Sequence, residues 1–422
     1  MAFERKKIIK ESGLILSANG VKLFSGFITF MIFSRTLGSE ALGIFAVTVS
    51  FAEIVNELFE FGFDTASVSV GAKYDAPNNK IDNSNKLSSI VSTNLILKLI
   101  TGVALFALGG VLSRPFAELI FQNPEMSSYL FIGFCAIPGL LIFDVALSVF
   151  RMEQSFTAYA ILRGGGAILT LSVSAVLAFY GILTLKSALI VYLVAIPVVT
   201  GFAGIAYGYR RYRLSAPDIK TTSAELFRFG RWIYLANITE ALRLKMNNFL
   251  LVKYSSPKSA GLYYTADRLS EALVLISSTI STLLLPKASS MTEKAELRSF
   301  TIKSVKVISL ISIPVLIVIP FSGDIISLLF GEGFKGAAAA FILIFLSLLV
   351  EIICKPFLFA LFSLGDSKVI FRQNVIILPV LLLAAYFMIP AYAEKGAALA
   401  LLIARFFGNL YLLREGYVKI IK

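Results

Sequence analysis

The sequence predicts an all-α polytopic membrane protein: about twelve transmembrane helices in two six-helix bundles with pseudo-two-fold symmetry along the membrane normal. Three observations predict it. Of 422 residues, 57% are hydrophobic and only 15% charged. Mean hydropathy is +0.82. Apolar runs of spanning length recur along the whole chain, separated by charged or Pro/Gly/Asn breaks. Soluble domains carry roughly 25% charge, and a single soluble core stops growing beyond about 250–300 residues. Lipid is therefore the solvent this composition suits. A soluble enzyme, a secreted disulfide scaffold and a disordered linker are excluded.

A span takes about 20 residues, and the breaks place twelve. The first six are 12–34, 41–63, 88–112, 128–150, 157–180 and 184–207. The second six are 227–252, 260–286, 303–321, 337–363, 369–390 and 396–416. Run 12–34 is long enough to span and lacks a small-residue cleavage site after it, so it is expected to stay as the first helix. An even number of spans puts both termini on one side. With that side cytoplasmic, the inner loops hold roughly 25 Lys and Arg against roughly 7 in the outer loops, the bias of the positive-inside rule. This also accounts for the net charge of +13 without invoking nucleic acid. Both termini are expected in the cytoplasm.

The most polar break runs from Tyr209 to Lys220, near the midpoint. It suggests a bundle over 1–208, a basic cytoplasmic linker over 209–222 and a second bundle over 223–422. A shift of 218 positions aligns Arg35 with Lys253, Gly43 with Gly261, Phe45 with Tyr263 and Glu53 with Glu271. Ile120-Phe121 echoes Leu329-Phe330 before the fourth span of each half. Repeats with an even span count keep their orientation, with a site between the lobes. The glycines at 43 and 261 would let the starts of spans two and eight approach closely.

An ionisable side chain near the bilayer centre costs about 2.5–3.5 kcal/mol on insertion scales, so it faces a partner or a wet cavity. Span two carries Glu53, Glu57, Glu60 and Asp64, which fall on one face of a continuous helix. That stripe reads either as a cavity wall that binds cations or offsets a basic wall, or as an ion-pair seam. Span seven places Asn237, Glu240, Arg243, Asn247 and Asn248 on one face with Lys245 beside it, and Glu240 can pair with Arg243 within the helix. Span eight follows with Tyr263, Tyr264, Asp267, Arg268 and Glu271, again with acid and base within one turn. A polar, partly basic interior suits a large anionic, hydroxyl-rich substrate, with Arg for phosphate oxygens and amides and Tyr for sugar hydroxyls. Interlocked structural pairs are the alternative. Lys22 and Arg405 sit too deep to snorkel easily and are expected to face inward. Lys98 is expected at an interface. Glu351 and Lys355 form an i,i+4 pair. Asp144, near Pro138, faces either a cavity or another helix.

No nucleotide-binding loop is present, there is no His, and no loop exceeds about 25 residues. Cys135 and Cys354 read as small core hydrophobes. No cofactor, metal site or catalytic residue is expected. Energy must come from an ion gradient, the membrane potential or the substrate gradient.

The stretch Ser34-Arg-Thr-Leu-Gly-Ser-Glu-Ala-Leu-Gly-Ile-Phe-Ala46 resembles the signature after the first span of bacterial polysaccharide (Wzx-type, O-antigen) flippases, which belong to the multidrug/oligosaccharidyl-lipid/polysaccharide exporter superfamily. Glu60-Phe-Gly-Phe-Asp64 resembles the pattern closing their second span, and Ala260-Gly-Leu-Tyr-Tyr-Thr-Ala266 with Leu285-Pro286 the start of their second half. The chain departs from many members in carrying Asn247-Asn248 where they have an Asp.

The resemblance implies an alternating-access transporter in the bacterial inner membrane. It would move undecaprenyl-pyrophosphate-linked oligosaccharide from the cytoplasmic to the periplasmic leaflet, with a polysaccharide polymerase and a chain-length regulator as partners. On that reading Lys22, Arg243, Lys245 and Arg268 are candidates for the pyrophosphate, and Asn247, Asn248 and Tyr263 for the sugar. Glu53, Glu57, Glu60, Asp64, Glu240 and Glu271 are candidates for counter-charge or cation coupling. A cation-coupled multidrug exporter of the same superfamily and a membrane polysaccharide polymerase are the alternatives.

Overall fold

The computed structural model describes residues 2–74, 80–208, 219–291, 293–366 and 368–421, without the side chains of 2–12, 72–74, 80–85, 275, 276, 278, 279, 282, 283, 285 and 286. The described residues form helices and no strand. Two runs are very long: α1 spans Ala2–Leu58 and α13 Val369–Gly416. Between them lie α2 Phe63–Tyr74, α3 Lys80–Phe116, α4 Met126–Met152, α5 Phe156–Phe179 and α6 Leu185–Leu189, which continues through a π-turn into α7 Ile196–Gly208. Then follow α8 Ile219–Tyr254, α9 Pro257–Ser289, α10 Lys294–Val315, α11 Ser322–Phe330 and α12 Ala338–Ser363. Residues 209–218, most of the expected linker, lie outside the described residues, as do the side chains of Leu285 and Pro286.

Among the described residues, eight helices are long and apolar enough to cross a membrane. The two longest, 46 and 53 residues, would reach about 70 and 80 Å if straight at 1.5 Å per residue, more than twice a bilayer core. Each is broken once. Gly38 has φ +79°, the left-handed conformation in which helices commonly end on glycine. Ala393 has φ +49°, and its bend seats Gly396 against the backbone of Met388 and Ile389. The twelve-span reading counts both limbs of these runs together with α8 and α9; α8 carries Glu240, Arg243 and Lys245 in its middle.

Two compact units make up the chain. The first comprises 1–37 and 48–238. Its core is built on α4, whose Val145, Val149 and Met152 pack with Leu87, Val91 and Leu95 of α3. The α1–α2 turn and the start of α8 also meet in this unit. A Cβ on Gly62 would sit 2.7 Å from the Gly230 carbonyl oxygen, and the Tyr234 hydroxyl donates to the Leu58 carbonyl at 2.7 Å.

The second unit comprises 38–47 and 239–422. Its core is built on α12, where Phe357, Phe359 and Ala360 pack with Leu412 of α13. The helix after the Gly38 bend lies against the start of α9. A Cβ on Gly43 would overlap the Pro257 carbonyl and sit 2.9 Å from the Gly261 nitrogen. The expected approach of Gly43 to Gly261 is thus present. The central helices α4 and α12 carry internal prolines at Pro138 and Pro356, 218 positions apart, the same shift that aligns Gly43 with Gly261.

Between α12 and α13, Asp366 accepts hydrogen bonds from Lys419 Nζ at 2.8 Å and Arg372 Nη1 at 3.3 Å. The Lys419 hydrogen bond, with the two cations, holds its carboxyl below the usual carboxylate range. A depressed folded value means that this clasp contributes above the unfolded Asp pKa of about 3.9 and is lost as pH falls through the folded value. Hydrogen exchange should show residues 417–421 losing protection in that acid range, and D366N should cause the same loss at neutral pH. Protection that ignores both changes would mean the clasp does not anchor the C-terminal turn.

Candidate functional site

The acidic stripe of span two does not lie on one continuous helix. The first helix ends at Leu58, and Phe61 and Gly62 take positive φ in a turn before α2 begins at Phe63. Glu53 and Glu57 are half-buried on α1. The buried Glu60 closes the turn, its carboxylate accepting the backbone N–H of Gly62 and of Asp64, both at 2.6 Å.

Asp64 points into the first unit, where it accepts Asn94 Nδ2 at 3.0 Å and forms an ion pair with Lys98. Lys98, expected at an interface, is only 2% exposed. One helix over, Asn56 Nδ2 donates to Asp144 at 2.9 Å, so Asp144 faces another helix. Asn94 Oδ1 and Glu57 Oε2 are buried with no hydrogen-bond partner. Five carboxylates, Glu53, Glu57, Glu60, Asp64 and Asp144, thus face the first unit's interior with Lys98 among them. Such a group can hold protons or balance a cation.

The second unit has the opposite balance. Arg243, 8% exposed, donates to both carboxylate oxygens of Glu240 within one turn of α8, with Nε at 3.1 Å. Glu240 also accepts Asn374 Nδ2 of α13 at 3.0 Å. Arg405, buried on α13, pairs with Glu351 of α12 at 3.3 Å and donates to Ser347 Oγ at 2.8 Å. This displaces the expected Glu351–Lys355 pair. Lys355 instead has Ser281 Oγ at 3.5 Å and no ion-pair partner among the described residues.

On α9, Arg268 donates to Glu271 at 2.7 Å and to the Tyr264 hydroxyl at 2.5 Å, its guanidinium 4.8 Å from the ring centroid. Asn247 Nδ2 donates to the buried Tyr263 hydroxyl at 2.9 Å and to the Ala397 carbonyl at 3.3 Å. Asn248 is buried beside it, Lys245 is half-buried on the same helix, and Lys22 is exposed on α1 of the first unit. The polar faces of α8, α9, α12 and α13 therefore hold five cations (Arg243, Lys245, Arg268, Lys355, Arg405) and four carboxylates (Glu240, Asp267, Glu271, Glu351).

The sequence brought out the pairs within one helix, Glu240 with Arg243 and Arg268 with Glu271. It missed Asn94, Asn374, Ser281 and Ser347, and misplaced Lys98. One signal was available: Ser88, Ser89, Ser92, Thr93, Asn94 and Lys98 give α3 a polar stretch that lipid would not accept. Cys135 is half-buried and Cys354 buried, both as free thiols. Among the described residues no three His, Cys, Asp or Glu side chains gather as metal ligands.

Comparison with known proteins adds to this geometry. The family described as polysaccharide biosynthesis protein matches residues 32–339. A Haloferax volcanii protein named probable flippase AglR is 23% identical over 417 residues, covering 97% of this chain and 83% of its own. A Shigella flexneri protein provisionally named an O-antigen transporter is 21% identical over 379 residues, covering 87% of each. The fold is shared with the lipid II flippase MurJ in an inward closed conformation, at TM-score 0.78 and 17% identity, over 95% of this chain and 87% of that one. An inward-facing multidrug resistance transporter of the MATE family in the MOP superfamily superposes with TM-score 0.74 and 12% identity, over 95% and 94%.

Proposed function

The chain belongs to the polysaccharide biosynthesis protein family, and from that premise we propose that it flips a polyprenyl-pyrophosphate-linked oligosaccharide from the cytoplasmic to the periplasmic leaflet of the inner membrane. The relatives named as a flippase and an O-antigen transporter support that reading. Alternating access is the mechanism of this proposal, with both termini in the cytoplasm and polymerase and chain-length regulator as downstream partners.

The observation that carries the substrate class is the surplus cation of the second unit. A charge held in a membrane interior needs a partner, and among the described residues Lys355 has one hydroxyl at 3.5 Å and no ion pair. A pyrophosphate supplies that partner without disturbing the pairs already made by Arg243 and Arg405. Arg268, half-buried on Tyr264, lies 13 residues from Ser281 on α9, about 20 Å at 1.5 Å per residue, so it offers a second anionic or hydroxyl contact farther along the substrate and not to the same phosphates. Lys245 adds to the basic side of the second unit, and Lys22 is a further basic candidate on the first. Asn247, Asn248 and Tyr263 offer amide and hydroxyl contacts to sugar. The carboxylates of the first unit supply the counter-charge or couple transport to a cation.

The test is flipping of a fluorescent polyprenyl-pyrophosphate oligosaccharide by the purified chain in vesicles, read as label accessible to a membrane-impermeant quencher. K355A and R268A should each lower the rate at least about 10-fold, the loss of one charge-assisted contact to the substrate at about 1.5–3 kcal/mol, with folded protein unchanged. Wild-type rates in both would end the basic-site assignment. The acidic first unit favours one other reading, cation-coupled drug export. Drug sensitivity of a deletion strain with normal surface polysaccharide would establish that instead.

A further inference from the structure

We infer that the apolar groove bounded by α9, α10 and α12 holds one anionic phospholipid, with its phosphate on Lys287 and Lys303. The groove has a volume of about 380 Å³. Its floor is Leu273, Ile308 and Ile352, all buried, and its outer lip is Val307 and Ile311, each more than half exposed. Lys287, in the last turn of α9, and Lys303, in the first half of α10, stand at one end. Neither has an ion-pair partner among the described residues. A basic mouth on an apolar groove between membrane helices matches an anionic headgroup with its acyl chain beneath it.

Length selects the occupant. The groove follows α10 from Phe300 to Val315, about 22 Å at 1.5 Å per residue. That accommodates a headgroup and an acyl chain crossing one leaflet, about 15 Å as half the hydrocarbon core. An extended undecaprenyl chain exceeds the whole core and would overrun it. None of the residues that carry the substrate assignment lines this groove, so the inference stands or falls apart from the flipped lipid's identity.

Native mass spectrometry of the full chain, released from micelles doped separately with phosphatidylglycerol, phosphatidylethanolamine or undecaprenyl phosphate, tests it. Wild type should retain one phosphatidylglycerol in preference to the other two. K287Q/K303Q should weaken that adduct about 30-fold, from about 1 kcal/mol per basic residue beside an anionic lipid. V307W, which fills the groove and leaves both lysines, should weaken it as well. Equal retention of phosphatidylethanolamine, preference for undecaprenyl phosphate, or an adduct that survives both variants would each overturn the inference.

Discussion

Lys98→Met destabilises the folded protein by about 3–5 kcal/mol, the cost of removing one partner from a buried ion pair. The amine is 2% exposed, and its carboxylate partner Asp64 sits in a side-chain environment only 9% exposed. With the amine gone, Asp64 keeps the Asn94 hydrogen bond and has no other ion-pair partner among the described residues, while Asp144 loses the neighbouring positive charge. The double variant K98M/D64N should regain most of the loss. Asparagine can hold the Asn94 contact, and no uncompensated charge remains. Thermal unfolding of wild type, both single variants and the double variant in one detergent gives the coupling directly. A K98M midpoint equal to wild type, or a double variant no better than K98M, would show that the pair is not what holds α2 to α3.

Gly43→Val abolishes transport. A Cβ at position 43 would overlap the Pro257 carbonyl oxygen and lie 2.6 Å from its carbon, so any side chain drives α1 away from the start of α9. Overpacking of this kind costs about 1–3 kcal/mol, enough to deplete the close-packed arrangement about 5- to 150-fold. Under alternating access, a conformation that cannot form halts the cycle, whereas a loss of stability alone would only lower protein yield. Cysteines replacing Leu42 and Ala260, both fully buried at this contact, in a chain lacking Cys135 and Cys354, provide the second readout. Their crosslink should stop flipping and its reduction should restore it, while G43V should prevent the crosslink. Full flipping by G43V would remove this contact from the transport cycle.

Much of the fold was legible because membrane solvent imposes a simple rule on composition. Runs such as 128–150 and 337–363 could only be buried or lipid-facing helices, and they became α4 and α12. The bend at Gly38 was legible as a break because glycine tolerates φ of +79°. The bend at Ala393 was legible as the charged break over 391–395 between two apolar runs, but not its positive φ, which alanine seldom adopts and which seats Gly396 on Met388. The acidic stripe shows the same limit. Its four residues have helical spacing, yet the chain leaves the helix at Leu58, and the turn held by Glu60 redirects Asp64 toward Lys98.

Local spacing determined what one helix can decide by itself. Residues three or four apart share a helix face, so the Glu240–Arg243 and Arg268–Glu271 pairs were readable before any packing was known. Which helix lies beside which, and at what rotation, depends on how side chains interlock across tens or hundreds of positions. Only the tertiary structure joined Lys98 to Asp64, Asn56 to Asp144 and Asn374 to Glu240. It also took Glu351 from its i,i+4 neighbour Lys355 and gave it to Arg405. The guanidinium pairs with Glu351 and donates to Ser347, which leaves Lys355 without an ion pair among the described residues and open to an anionic substrate.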